Sequence, residues 1–251
     1  MKSSAMCALV LALASYAGHS RASVEAFGLP DRTEAENLAA LRLGMEPVPL
    51  LELGYTRPKL FRISDHAFDV GAALAAPLLL VPDASDLRFS AGVASSWELA
   101  RSVQLTSGFS TFWATADDTT ARSHAFGIEA GAGVRYAPGG FYLGLPVRLR
   151  STLLLHLDHS ELMRDAYGDR YDNGSTNTPV SGDRIDGPHD GWYGWSAWRV
   201  FLGLEGGFSV SSVAFNAGAG TFLSPQEQGL FFSAETGQIP IYLEISARVG
   251  F

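Results

Sequence analysis

The sequence predicts an all-β fold, an antiparallel up-and-down β-barrel of about ten strands, with eight or twelve as the flanking counts. Three observations lead there. From about residue 47 onward, apolar and polar residues alternate, which is the period of a strand with two unlike faces. The charges within these stretches share the face opposite the apolar residues. The chain is 47% hydrophobic and only 18% charged, yet beyond its N-terminus no charge-free apolar run is long enough for a spanning helix. An ordinary charged cytosolic domain is disfavoured by the same numbers.

The first 22 residues have the layout of a secretory signal. Lys2 precedes the apolar run Ala5–Ala14, and Ser20-Arg21-Ala22 places small residues at −3 and −1 for cleavage before Ser23. A second small-residue site is Ser15-Tyr16-Ala17. The only cysteine, Cys7, lies inside the apolar run, so a processed chain has no disulfide and no thiolate metal site. Processing removes Lys2 and Arg21, leaving 16 basic against 26 acidic residues and a net charge of −10 instead of −8. That balance offers nothing to nucleic acid. No cofactor motif is present: the chain has no phosphate-cradling glycine loop, no HExxH and no GxSxG.

Residues 23–46 form an N-terminal segment with two readings. Thr33 and Glu36 have the spacing of a capping box, with Leu38, Leu41 and Gly44 completing a short helix. Leu41, Leu43 and Met45 also alternate, as in a first strand.

The region 47–251 reads as strands near 47–56, 66–80, 86–96, 102–114, 124–137, 141–157, 192–206, 209–222 and 239–251. The last is the clearest. Ile239, Ile241, Leu243, Ile245, Ala247, Val249 and Phe251 share one face, while Tyr242, Glu244, Ser246 and Arg248 share the other. In 141–157, Phe141, Leu143, Leu145, Val147, Leu149, Leu153 and Leu155 oppose Tyr142, Gly144, Arg148, Arg150, Thr152 and His156. These runs exceed the usual five or six residues of soluble strands and suit tilted transmembrane strands. Nine is an odd count, and single-chain bacterial barrels have even ones. A tenth strand is therefore expected at 38–46, 59–64 or 229–236.

The charges sharpen the reading. Glu52, Asp69, Arg88, Glu129, Arg135, Arg148, Arg150, Arg199, Glu205, Glu244 and Arg248 all oppose the apolar face. In the four strands with two of these charges, the pairs are an even number of residues apart, which chance parity gives about one time in sixteen for a period of two. Lipid supplies a reason, because an arginine facing the bilayer midplane costs roughly 2–4 kcal/mol. The predicted lumen network is Glu129, Arg135, Arg148, Arg150, Arg199, Glu205, Glu244 and Arg248. Gly127, Gly131, Gly133, Gly218 and Gly220 on the same face let a narrow lumen close around larger neighbours. Tight connections at 97–101, 137–140 and 206–209 alternate with longer ones at 115–123, 158–191 and 223–238. Aromatics mark both rims: Trp97, Tyr136 and Phe141 at one, and Trp113, Trp192, Trp195 and Trp198 at the other. A secreted soluble β-sandwich shares the alternation, and strand length favours the barrel.

The C-terminal run Tyr242-Leu243-Glu244-Ile245-Ser246-Ala247-Arg248-Val249-Gly250-Phe251 resembles the terminal strand of bacterial outer-membrane β-barrels. The stretch Ala91–Trp113, with Trp97-Glu98-Leu99-Ala100-Arg101, is similar to a small-barrel hairpin. The resemblance implies a transmembrane barrel in the outer membrane, with outer-membrane lipid and lipopolysaccharide as surroundings. It also implies recognition by the barrel-assembly machinery through Tyr242, Val249 and Phe251. It selects no subfamily.

Two stretches stand apart from the strand pattern. Residues 158–191 hold eight acids and three arginines, a net charge of −5. Within them Asp169-x-x-Asp172-Asn173-Gly174 brings oxygen ligands beside a turn glycine, without the alternating register and distal Glu of a calcium loop. A solvated external loop is the expected reading, with divalent-cation or lipopolysaccharide bridging as the rival. The second stretch is His156-Leu157-Asp158-His159-Ser160-Glu161. Barrel hydrolases acting on lipid or peptide use a histidine-activated serine, and these residue types are present. On an uninterrupted strand, however, His156 faces inward and His159 outward, and His159 and Ser160 point apart. His66, His124 and His189 are expected in loops. The sequence favours a non-enzymatic barrel with a structural, surface-interaction or narrow-passage (porin-like) role, and a rim hydrolase using His156, His159 and Ser160 is the alternative.

Overall fold

The computed structural model describes residues 36–45, 49–64, 66–77, 87–117, 121–167, 190–223 and 241–251. The proposed signal segment, Asp169, Asp172 and His189 lie outside the described residues. Ten strands close into one antiparallel barrel: β1 (Leu38–Met45), β2 (Pro49–Ile63), β3 (His66–Pro77), β4 (Arg88–Ala100), β5 (Val103–Asp117), β6 (Ala121–Tyr136), β7 (Phe141–His159), β8 (Gly191–Val210), β9 (Val213–Leu223) and β10 (Ile241–Gly250). A short helix, α1 (Glu161–Tyr167), follows β7.

Each strand pairs with its sequence neighbours, and β1 pairs with β10 to close the ring. Closure removes the exposed edges that an open sheet would present. Of the two readings of residues 38–46, the chain adopts the strand, which is the tenth. The seam extends to the last residue, where Asn37 and Phe251 exchange backbone hydrogen bonds at 3.1 and 3.0 Å. One continuous ring stands in place of the two packed sheets of a sandwich.

The tight turns gather at one rim. They lie at Arg101–Ser102, 137–140 and Ser211–Ser212, with a fourth after Ile63. Two of the expected turns are corrected, because 97–100 continues β4 and 206–209 continues β8. The corrected turns need a left-handed residue, and Ser102 (φ 67°) and Ser211 (φ 54°) supply it where Gly139 (φ 79°) does so in the third. The strand ends that lead into the other connections, including those of β7 and β8, lie at the opposite rim. The longer connection expected at 115–123 is corrected, because β5 runs to Asp117 and β6 starts at Ala121. His66 begins β3 and His124 lies within β6, so neither belongs to a loop.

The wall separates two environments. Leu53, Leu145, Leu204, Ile245 and Val249 are exposed on the outside, at 46–63%. Tyr136, Phe141, Trp113, Trp192 and Trp198 are exposed on the same surface. Arg88, Glu129, Phe112, Phe201 and Tyr242 are almost wholly buried inside. The arrangement inverts that of a soluble protein, whose exposed apolar patches rarely exceed a few hundred Å².

Candidate functional site: the lumen

Among the described residues, the interior gathers the largest group of charged side chains. Arg42, Arg88, Arg135, Arg148, Arg150, Arg199 and Arg248 are buried there, as are Glu52, Glu129 and Glu205. Glu244 is partly buried on the same face of β10. Sequence reasoning placed all of these on one face except Arg42, which lay in the segment with two readings. Its place between the alternating Leu41 and Leu43 was the available signal.

Several of these charges meet across the wall and not along a strand. Arg42 and Glu52 are direct cross-strand neighbours on β1 and β2, 3.3 Å apart. Arg150 on β7 donates from Nε to Glu129 Oε2 on β6 at 2.9 Å, and its Nη2 lies 2.8 Å from the same oxygen in an ion pair. The Arg88 guanidinium is 3.9 Å from the same carboxylate oxygen. Arg135 on β6 donates to Glu205 on β8 at 2.8 Å, spanning the intervening β7. These pairs answer the main difficulty of burying charge, because a desolvated ion needs a partner of opposite sign and good geometry.

Aromatic faces carry much of the remaining positive charge. Arg88 lies 4.1 Å above the Phe112 ring and Arg135 lies 4.3 Å above Tyr142. Arg148 is shared by Phe201 and Tyr242 at 5.5 and 5.4 Å. Arg150 lies 5.2 Å from Phe201, and Arg199 lies 5.4 Å from Phe222. The quadrupole of an aromatic face attracts a cation without neutralising it. Phe201, Phe222 and Tyr242 also pack on one another, so a single aromatic cluster holds three arginines. Sequence reasoning placed Tyr142 and Tyr242 on the inward face and left Phe201 and Phe222 unassigned, although Phe201 shares the parity of Arg199 and Phe222 that of Gly218 and Gly220.

Glycines make room for these large groups. A side chain at Gly127 would meet the Phe112 ring, one at Gly220 the Tyr242 ring, and one at Gly218 the Glu244 side chain. Gly131 lies against the Arg148 stem and Gly133 against Thr106 and Pro146. A cavity of about 30 Å³ beside Thr106, Arg135, Arg148 and Glu205 has room for about one water.

Toward the loop rim the interior of β5–β8 changes character. Ala114, Ala116, Ala125, Leu155 and Leu157 form a buried apolar cluster, with Tyr193 against it. Here the structure corrects the reading of strand 141–157. The register against β6 skips one residue between Thr152 and Leu154, a β-bulge at Leu153. Two residues then oppose one, and every later side chain changes face. Leu155 (4% exposed) and Leu157 (6%) become interior. His156 is turned outward, and His159 is turned inward with a side chain only 1% exposed. The predicted facings of both histidines are thereby reversed. The run Leu153-Leu154-Leu155 breaks the alternation and was the available signal.

The two histidines join different groups. His156 packs edge-on against Trp192 at 4.9 Å, beside His124 and, beyond it, Trp113. His159 is clasped by Asp190, at the start of β8. Its backbone N–H donates to Asp190 Oδ1 at 2.6 Å, and its ring Nδ1 is 3.0 Å from the same oxygen. Arg164 of α1 donates to Asp190 Oδ2 at 2.7 Å and to Asp158 at 2.8 Å. This clasp ties together the two stems of the long connection. Ser160 lies between β7 and α1, and its carbonyl accepts from the Arg164 N–H in the first turn of the helix. His156, His159 and Ser160 therefore do not converge on one reacting centre.

No family model matches the chain, and no curated protein matches it. Among solved structures the chain is similar to a KdgM porin in complex with disordered oligogalacturonate, at 7% identity, 85% of this chain and 99% of that chain covered, and a TM-score of 0.39. It is also similar to the outer membrane protein OpdK from Pseudomonas aeruginosa, at 7% identity, 86% and 97% coverage and a TM-score of 0.23. A third likeness is to OccAB3 of Acinetobacter baumannii, at 8% identity, 87% and 99% coverage and a TM-score of 0.23. Such distant likenesses bring no solute, ligand or activity to this chain.

Proposed function

We propose that this chain is an integral outer-membrane β-barrel with a porin-like role, a narrow passage through a lumen filled by its own charged and aromatic side chains. The inversion across the wall carries the reading. The exterior is apolar and exposed while the interior is ionic and buried, which suits lipid outside and a polar path inside. A closed barrel is one of only two architectures that satisfy every backbone hydrogen bond within hydrocarbon. In this reading the tight turns face the periplasm and the acidic connection after β7 faces outward. Residues 1–22 direct export. The barrel-assembly machinery reads the C-terminal strand, where Val249 and Phe251 are exposed on the outer surface and Tyr242 is buried inside. Outer-membrane lipid and lipopolysaccharide meet the aromatic rims.

Fractionation, a heat-dependent band shift in detergent gels and planar-bilayer recording test the proposal together. The expected results are an outer-membrane fraction, a clear band shift and small current steps. Replacing both Arg135 and Glu205 by alanine is expected to enlarge those steps. A soluble fraction without a band shift overturns the membrane reading. A wide, open conductance in the unaltered chain overturns the filled lumen, and electrical silence overturns the passage.

A further inference from the structure

We infer that the passage favours oxyanions, that is, small solutes bearing carboxylate or phosphate groups. This inference rests on the passage proposed above and specifies what it passes. The chain carries a formal charge of −8, yet its interior has the opposite sign. Among the described residues, seven arginines and four glutamates face the lumen between the rims, so 7 − 4 leaves three positive charges in excess. Asp69, near the turn rim, accepts from the Lys59 backbone, and counting it still leaves an excess of two.

The way the charge is held adds to the count. Five of the arginines lie over aromatic faces, which attract a cation without adding a negative charge; three of the five also meet Glu129 or Glu205, acids already subtracted in the count. A cleft lined by one sign of charge and walled by low-dielectric material concentrates its field and raises the local concentration of counter-ions. The residue type narrows the class further. Among the described residues every buried lumen cation between the rims is an arginine, and the guanidinium fork matches the two oxygens of a carboxylate or phosphate, whereas a halide offers it no such pair. Arg148, Arg150 and Arg199 converge on the Phe201–Phe222–Tyr242 cluster and form the centre of this path.

Reversal potentials in a potassium chloride gradient give the test. The unaltered barrel is expected to favour chloride over potassium by roughly tenfold, and added acetate or inorganic phosphate is expected to reduce the chloride current. Arg199→Gln and Arg148→Gln should each move selectivity toward potassium, and Glu244→Gln should move it toward chloride. Arg199→Lys keeps the charge and loses the fork, so it should retain chloride selectivity and lose part of the phosphate effect. It also serves where a neutral variant fails to assemble. Potassium preference in the unaltered barrel overturns the oxyanion inference and leaves the passage standing. Selectivity that none of these variants moves overturns it as well, by placing the filter outside the lumen. Absence of current in every variant overturns the passage itself, and the inference with it.

Discussion

The lower and upper parts of β7 belong to one strand and follow opposite rules. From Tyr142 to Arg150 the even residues face inward, and Arg148 and Arg150 enter an ionic interior. From Leu155 to His159 the odd residues face inward, and Leu155 and Leu157 enter an apolar one. A single extra residue at the Leu153 bulge separates the two. The comparison shows that a narrow barrel can carry two interiors in series. One is held by charge pairing and aromatic faces, the other by close apolar packing, and a bulge is enough to switch between them.

The largest effect is expected where the ionic interior is broken. Glu129 is wholly buried and lies within reach of both Arg150 and Arg88. Glu129→Gln removes the negative charge and leaves two guanidinium groups in a desolvated site. Breaking a buried pair in this way costs about 3–5 kcal/mol. Equilibrium unfolding in detergent or lipid, followed by the band shift, measures it. A loss below about 1 kcal/mol would mean that water reaches Glu129 freely, as for an exposed pair, and the filled-lumen description would fall.

Much of this was legible in the sequence, for reasons that particular residues make plain. The lipid-facing reading depends on a strict period of two, and β10 keeps that period from Ile241 to Val249. Parity therefore placed Glu244 and Arg248 inside without any structure. Arg42 was missed because eight residues of β1 are too few to separate a strand from a helical turn when a capping pair precedes them. The His156 and His159 facings were missed because a bulge has no composition of its own. Only the three consecutive leucines at 153–155 betray it. The ion pairs were illegible for a different reason. Arg135 finds Glu205 two strands away, 70 residues along the chain, and that meeting depends on barrel diameter, which alternation does not encode.

The apolar interior is expected to be less costly to break than the ionic one. Leu155→Ala removes a side chain that is 4% exposed and packed with Leu157 and Ala125. Large-to-small substitutions in such sites cost about 2–5 kcal/mol, and the small alanines around this one favour partial collapse toward the lower end. The same unfolding measurement applies, with the band shift retained at low denaturant. If Leu155→Ala instead proved more damaging than Glu129→Gln, the apolar cap and not the ion pairs would be the main support of the interior.

The smallest expected difference tests the switch itself. His156 and His159 lie three residues apart, and on an uninterrupted strand they would face opposite sides with His156 inward. The bulge reverses that order. His159→Ala loses a buried ring beside the Asp190 carboxylate, a hydrogen bond to a charged group worth about 1.5–3 kcal/mol. Asp190 keeps its bonds from the His159 N–H and from Arg164, which places the loss toward the lower end. His156→Ala removes an edge contact with Trp192 on the outer surface, worth about 0.5 kcal/mol at such a site. Cysteine labelling reads the facing directly, since Cys7 is the only native cysteine. In His156→Cys a membrane-impermeant maleimide is expected to react at the rim, while in His159→Cys the thiol is shielded beneath Asp190 and α1. The reverse pattern would place His156 in the lumen, remove the bulge, and return β7 to the single uninterrupted alternation that its first ten residues display.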